Sequence, residues 1–254
     1  MLKCDFHIHT REDPLDCCRH SARDVIEKAA ALKFDVLAFT FHGCVLDDPA
    51  LTALARDRGI LLIPGCEVFV ERREVLCLNI TQAEVDRIHT FEDLRAWKAA
   101  KGGAGLVIAP HPLYPVTSCL RQKFFDHLDL WDAVEYCHMH MRGLNFNRKA
   151  ELVAKDRGLP FVGTSDAHEL FMFGKNHTLV DAEKDTLSVF RAIRDGRTQH
   201  YAPPLSPWGA FKVLAVMEVW DRLLRMLTAQ GRAKVRARKQ QRKRSERAAE
   251  AGSS

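Results

Sequence analysis

Short apolar runs alternate with helix-length segments along most of the chain, and this rhythm restricts the fold more than any other feature. Phe34 to Phe41, Ile60 to Cys66, Gly105 to Ala109, Leu130 to Cys137 and Pro160 to Gly163 are strand-like. They are too continuously apolar to have one face in water, so both faces must be covered. Between them lie segments with helix signals, such as Ser21-Ala22-Arg23-Asp24 opening a helix to about Leu32, and Thr90-Phe91-Glu92-Asp93 opening one that Gly102-Gly103 ends. Strands and helices in alternation predict an α/β fold in which helices cover a largely parallel sheet. Val68–Val70 and Val75–Ile80, separated by Glu71-Arg72-Arg73-Glu74, predict a hairpin inside that pattern.

Residues able to bind metals fall at the ends of these strands. His7 and His9 alternate with Phe6 and Ile8, so in a strand both imidazoles share one face. His9, His42, Glu67, His111, Asp166 and His168 each close a predicted strand. The C-terminal ends of parallel strands converge on one face of a barrel, where such sites are built. His138 and His140 also share a face after Glu135-Tyr136.

Composition narrows the setting. At 254 residues the chain has room for one large barrel or two small domains. No uncharged apolar run reaches the length of a membrane span, and Met1-Leu2-Lys3-Cys4-Asp5 enters a strand directly, so a cytoplasmic protein without a transmembrane segment is expected. The eight cysteines include no Cys-x-x-Cys pair, and Cys44, Cys66, Cys77 and Cys137 lie in apolar runs, as reduced thiols do. Of the net charge of +5, residues 231–254 contribute nine basic and two acidic side chains, or +7, which leaves −2 for the remainder. The chain therefore divides into a barrel over residues 1–205, an amphipathic helix over 206–230 that packs on the barrel or on a second subunit, and a basic, disordered tail over 231–254.

Taken in order, His7-x-His9, the strand ending at His42, Gly65-x-Glu67, His111-Pro112 and Ser165-Asp166-Ala167-His168 resemble the polymerase and histidinol phosphatase (PHP) domain family. The resemblance covers roughly residues 3–203. It implies a distorted, seven-stranded TIM-like (β/α)7 barrel with two or three divalent metal ions at its C-terminal face. Carried over, His7, His9, Glu67 and Asp166 would hold one metal, with Glu67 bridging to a second that His111 also binds. His42 and His168 would hold the third with Asp16, in a loop that also offers Glu12, Asp13 and His20. Glu74 stands where many members of the family have a further histidine.

The chemistry implied is metal-dependent hydrolysis of a phosphomonoester or phosphodiester, with Glu67, Asp166 and His168 at the catalytic centre. A metal-bound hydroxide would be the nucleophile, since bound water ionises near pH 7. A mixed nitrogen and oxygen shell without thiolate suits Mn²⁺, Fe²⁺ or Zn²⁺. Tyr114, His138, His140 and Arg142 are candidate substrate contacts. The alternatives are exonuclease-type action on oligonucleotides aided by the tail, an amidohydrolase-type hydrolase, and a non-catalytic nucleic-acid-binding protein. The basic residues of 232–247 could engage nucleic acid or an anionic surface by counterion release.

Overall fold

The computed structural model describes residues 1–215 together with residues 233, 234, 236 and 240. The strands are β1 (Leu2–Asp5), β2 (Val36–Leu37), β3 (Leu61–Leu62), β4 (Gly65–Val70), β5 (Arg73–Leu78), β6 (Leu106–Ala109), β7 (Ala133–Tyr136), β8 (Phe161–Gly163), β9 (His177–Val180) and β10 (Thr198–Tyr201). The helices are α1 (Ala22–Ala31), α2 (Pro49–Asp57), α3 (Gln82–Val85), α4 (Phe91–Lys101), α5 (Gln122–Asp126), α6 (Asn147–Arg157), α7 (Thr186–Arg194) and α8 (Pro207–Leu214).

The chain is α/β, as its rhythm predicts. Its strands form two five-stranded sheets, ordered β10–β9–β1–β2–β3 and β4–β5–β6–β7–β8, where a single seven-stranded ring was expected. β1, β2 and β3 pair in parallel, as do β6, β7 and β8. The β4–β5 hairpin reverses direction, and β9 and β10 add antiparallel edges, so the ladders are mixed. Two parallel bridges nevertheless join the sheets, Ile8 with Ala167 and His42 with Glu67. Ile8, Ala167 and His42 lie just beyond strand ends, whereas Glu67, which the sequence places at the close of a strand, lies inside β4.

Local signals explain the helices. In α1 the Ser21 hydroxyl accepts from the Asp24 N–H while the Asp24 carboxylate accepts from the Ser21 N–H. Ala22, Val25, Ile26 and Ala29 then recur on one buried face. Thr90 and Asp93 make the same reciprocal cap on α4, which ends at Gly102 with φ of 55°. Asp48 caps α2 and Pro49 occupies its first turn.

Apolar side chains from both sheets pack against these helices. One group joins Val107, Val134, Leu94 and Trp97; another joins Phe6, Val36, Ile108 and Phe190; a third joins Ile8, Ile26, Phe39 and Phe173. Of the amphipathic segment expected over 206–230, α8 is described, with Ala210 and Val213 buried and Trp208 and Phe211 exposed. The rest of that segment, and all but four positions of the expected tail, lie outside the described residues. Among the described residues, no helix is long and apolar enough to cross a membrane.

Candidate metal centre

Segments following the strands bring His7, His9, His42, His111, Asp166 and His168 together with Glu67 of β4 in one cluster, and the loop after β1 adds Asp16. Every residue carried over as a metal ligand is therefore present in one place. The geometry is most regular around His7 and His9. Their Nε2 atoms lie 3.0 Å apart. Glu67 Oε2 is 3.5 and 3.4 Å from these two nitrogens, and Asp166 Oδ1 is 3.4 and 3.6 Å from them. Ligand atoms about 2.1 Å from a common cation stand roughly 3.0 to 3.4 Å apart at right-angled or tetrahedral geometry. His7, His9 and Asp166 form a buried group whose ligand atoms lie close enough together for one divalent ion, with Glu67 Oε2 beside the two histidines.

Both imidazoles are held so that Nε2 offers a lone pair. His7 Nδ1 donates to Glu135 Oε1 at 3.2 Å, and His9 Nδ1 donates to Asp13 Oδ2 at 2.9 Å. A carboxylate behind a ligating histidine fixes its tautomer and raises its basicity. Glu135 is fully buried, and it also accepts from the His111 N–H at 2.7 Å and from the Thr164 hydroxyl. Asp13 Oδ2 also accepts the His42 N–H at 3.0 Å, while its Oδ1 accepts the Leu15 N–H at 2.8 Å. Neither Glu135 nor Asp13 was singled out as a site residue from the sequence. A lone acid within an apolar strand was the available signal for Glu135, because a buried charge needs partners.

Further groupings adjoin the first. His111 Nε2 lies 3.5 Å from Glu67 Oε1, a buried oxygen with no hydrogen-bond partner among the described residues. Glu67 thus turns one oxygen toward His7 and His9 and the other toward His111, as a bridging carboxylate would. His42 Nε2 is 3.2 Å from Glu67 Oε2 and 3.8 Å from Glu74 Oε1, and these three residues form a buried potential ligand group. Asp16 Oδ2 lies 3.1 Å from His168 Nε2 and 3.2 Å from His42 Nδ1. His9, Asp13, Asp16 and His42 form another buried group of the same kind.

Electrostatics follow from this crowding. Burial pushes the Glu67 and Asp16 carboxyls up, but the surrounding imidazoles hold both well below the usual range. Burial likewise disfavours charged imidazoles, yet neighbouring carboxylates raise His7 and His42 well above the ordinary value. His168, beside Asp16 and Asp166, rises to about 9. Burial dominates at Asp5, pushing it to about 7 although its carboxylate accepts the Ser165 N–H at 3.1 Å. The nitrogen and oxygen set is rich in lone pairs held at ligand spacing, and it fits divalent cations.

Backbone strain is present at the same place. His111 has φ of 28° and Asp166 φ of 44°, left-handed values that cost a residue bearing a Cβ. Gly65 is required for space. An added Cβ there would lie 2.9 Å from both Leu78 Cδ2 and Thr40 Cγ2, and 3.1 Å from the Phe39 carbonyl.

The candidate substrate contacts separate. The Tyr114 hydroxyl donates to the Met139 carbonyl at 2.8 Å, and His140 Nε2 donates to the Ala202 carbonyl at 2.9 Å, so the fold itself engages both. Arg142 is exposed. His138 is buried, and neither ring nitrogen has a hydrogen-bond partner among the described residues. Asp166, Glu135, His168 and His7 all act electrostatically on it, and burial lowers its pKa to about 4. His20, which its loop position would place at the surface, is also buried.

A family profile described as PHP-associated matches residues 145–198, the stretch that carries Asp166 and His168. The fold is similar to that of a two-domain protein from Bacteroides vulgatus containing a predicted PHP-like metal-dependent phosphoesterase. That likeness has a TM-score of 0.58 and 21% identity, and it covers 79% of this chain and 64% of that one. The chain is similar to PHP-domain proteins in that stretch and in fold. The fold is also similar to that of the lesion-specific endonuclease Q of Pyrococcus furiosus, with a TM-score of 0.57 at 15% identity, over 78% of this chain and 57% of that one. An uncharacterized protein of Methanocaldococcus jannaschii is 26% identical over 149 residues, which is 56% of this chain and 84% of that protein. The chain thus spans less than two thirds of the length of both structural relatives.

Proposed function

We propose that this chain is a metal-dependent phosphoesterase of the PHP type. The observation that carries the reading is the set of spacings between 3.0 and 3.6 Å linking His7 Nε2, His9 Nε2, Glu67 Oε2 and Asp166 Oδ1. These four residues would hold one divalent ion, Glu67 Oε1 and His111 a second, and Asp16, His42 and His168 a third. Glu74 would contribute an oxygen beside His42. Mn²⁺, Fe²⁺ or Zn²⁺ suit such a shell. Bound cations would supply Lewis acidity toward a phosphoryl oxygen and lower the pKa of water toward neutrality.

The chain's own residues orient that chemistry. Glu135 and Asp13 hold the His7 and His9 rings with Nε2 inward. Because Glu67 is kept ionised by His7 and His42, it remains a carboxylate across the neutral range. His138 would face the substrate as a neutral imidazole, able to donate one hydrogen bond to a phosphoryl or leaving-group oxygen without adding charge. Arg142, which is exposed, would meet the non-phosphate portion of a larger substrate.

Likeness to an endonuclease supports phosphodiesters in nucleic acid as a second substrate class, to which the basic residues of 232–247 would add affinity. A panel of phosphomonoesters, phosphodiesters and oligonucleotides with Mn²⁺, run on the wild type and on Asp166→Ala, tests both classes. Phosphoester cleavage lost in the variant is expected. Cleavage of amide or cyclic ureide substrates alone would assign the site to amidohydrolase chemistry instead.

A further inference from the structure

Lys234 belongs to the basic segment that the sequence leaves unpaired, yet it is only 8% exposed. Its Nζ donates to the Asp13 carbonyl at 2.7 Å, to the Arg11 carbonyl at 3.4 Å and to the Asp16 carbonyl. An ammonium carries three donors, so three carbonyls satisfy it fully, which is what burial of that group demands. All three acceptors lie in the loop between β1 and α1. Two of them belong to residues whose carboxylates point the other way, into the cluster. Asp13 holds His9 and His42 from behind, and Asp16 faces His168 and His42.

Side chains tie this loop at several points, with Glu12 accepting from the Thr10 hydroxyl and the Ala22 N–H and Arg19 pairing with Glu169, but Lys234 binds three of its carbonyls at once. The Arg11 N–H donates to the His20 carbonyl at 2.8 Å and closes the loop at its base, while the Asp13 N–H bonds the Thr10 carbonyl at 2.9 Å. Pro14 has no N–H to give. Lys234 therefore gathers the carbonyls of Arg11, Asp13 and Asp16 around one point and sets the spacing between the two carboxylates. We infer that Lys234 is a positioning residue of the metal centre, clamping the Asp13–Asp16 loop from the C-terminal segment so that Asp16 and His168 meet one cation at ligand distance. This rests on the reading of the cluster as a metal site. It gives the C-terminal segment a role in assembling the centre, separate from any capture of substrate.

The test uses the full chain and Mn²⁺ alone, with free Mn²⁺ followed by electron paramagnetic resonance during titration and thermal melting recorded in parallel. Lys234→Met should weaken one binding step by tenfold or more and leave the tightest step at its wild-type value. Lys212→Met, an exposed charge loss on α8, should match the wild type at every step. Should Lys234→Met fail to fold, Lys234→Gln is read in the same way. Equal Mn²⁺ binding by the wild type and the Lys234 variant overturns the inference even if melting falls, since a merely structural contact would act on melting alone. Equal weakening by Lys212→Met also overturns it, as an effect of bulk charge. A wild type that takes up no Mn²⁺ overturns the metal reading of the site as well.

Discussion

Glu135 reaches across from β7 to accept the Nδ1 proton of His7, a residue 128 positions earlier, at 3.2 Å with both side chains fully buried. Because the same carboxylate also takes the His111 amide proton, it ties two proposed ligands of different metals to one strand.

Glu135→Gln keeps the volume and removes the charge behind His7. Outer-shell substitutions of this kind cost 10- to 100-fold in metal affinity. We expect a loss of about that size for the tightest Mn²⁺ step, measured by calorimetric titration. Unchanged affinity would show that the carboxylate is not needed to orient His7.

His138 is the one candidate substrate contact whose ring is both buried and unbonded among the described residues. His138→Asn should leave the metal content by elemental analysis at the wild-type value while kcat/KM on the best phosphoester falls by tenfold or more. If metal is lost instead, His138 supports the centre and not the substrate.

The metal-free protein should be most stable between about pH 4.5 and 6.5, the ordinary values of glutamate and histidine. Glu67 and Asp16 have depressed values, so their contribution is present above the ordinary carboxylate range and is lost as the pH falls below it. His168 is raised to about 9, so its contribution is complete below pH 6.5 and is lost as the pH climbs from there through about 9. Melting temperatures in a chelator should fall on both sides of this window. Adding Mn²⁺ should restore the alkaline side most, since the cation replaces protons on nitrogen. A melting temperature that climbs between pH 6.5 and 9 without metal would contradict the charge arrangement.

Gly65→Ala would drive a Cβ into Leu78, Thr40 and the Phe39 carbonyl, directly before the Glu67 strand segment. Overpacking of this kind costs about 1–3 kcal/mol. Chemical denaturation should show that loss, and an unaltered midpoint would mean that β4 shifts freely.

Much of this centre is legible in the sequence because strand ends in a parallel arrangement converge, and His9, His42, His111, Asp166 and His168 follow such strands, although Glu67 lies inside the antiparallel β4 and not at a strand end. The capped helices α1, α2 and α4 are legible for a similar reason, since Ser21, Asp48 and Thr90 act within a few residues of themselves. Asp13 is not, because four polar residues of one loop compete for the cluster and only the folded loop ranks them. Glu135 is hidden by the apolar residues around it. The mixed first sheet turns on β9 and β10, whose antiparallel pairing beside β1 is a long-range choice that no local pattern announces. Lys234 was masked by its company, since a lysine in a basic run reads as solvated until three carbonyls are found around it.

The two bridges that join the sheets run through the centre itself. The His9 amide donates to the Ala167 carbonyl at 3.2 Å, the Gly43 amide to the Glu67 carbonyl at 2.9 Å and the Glu67 amide to the Phe41 carbonyl at 3.1 Å. The seam that keeps the halves together and the cradle that gathers the ligands are thus one piece of backbone. Local opening there would separate the sheets, so these amide protons should exchange with solvent only when the whole domain unfolds. Any rearrangement the proposed chemistry needs would then fall to the edges of the centre, with the seam as its fixed post.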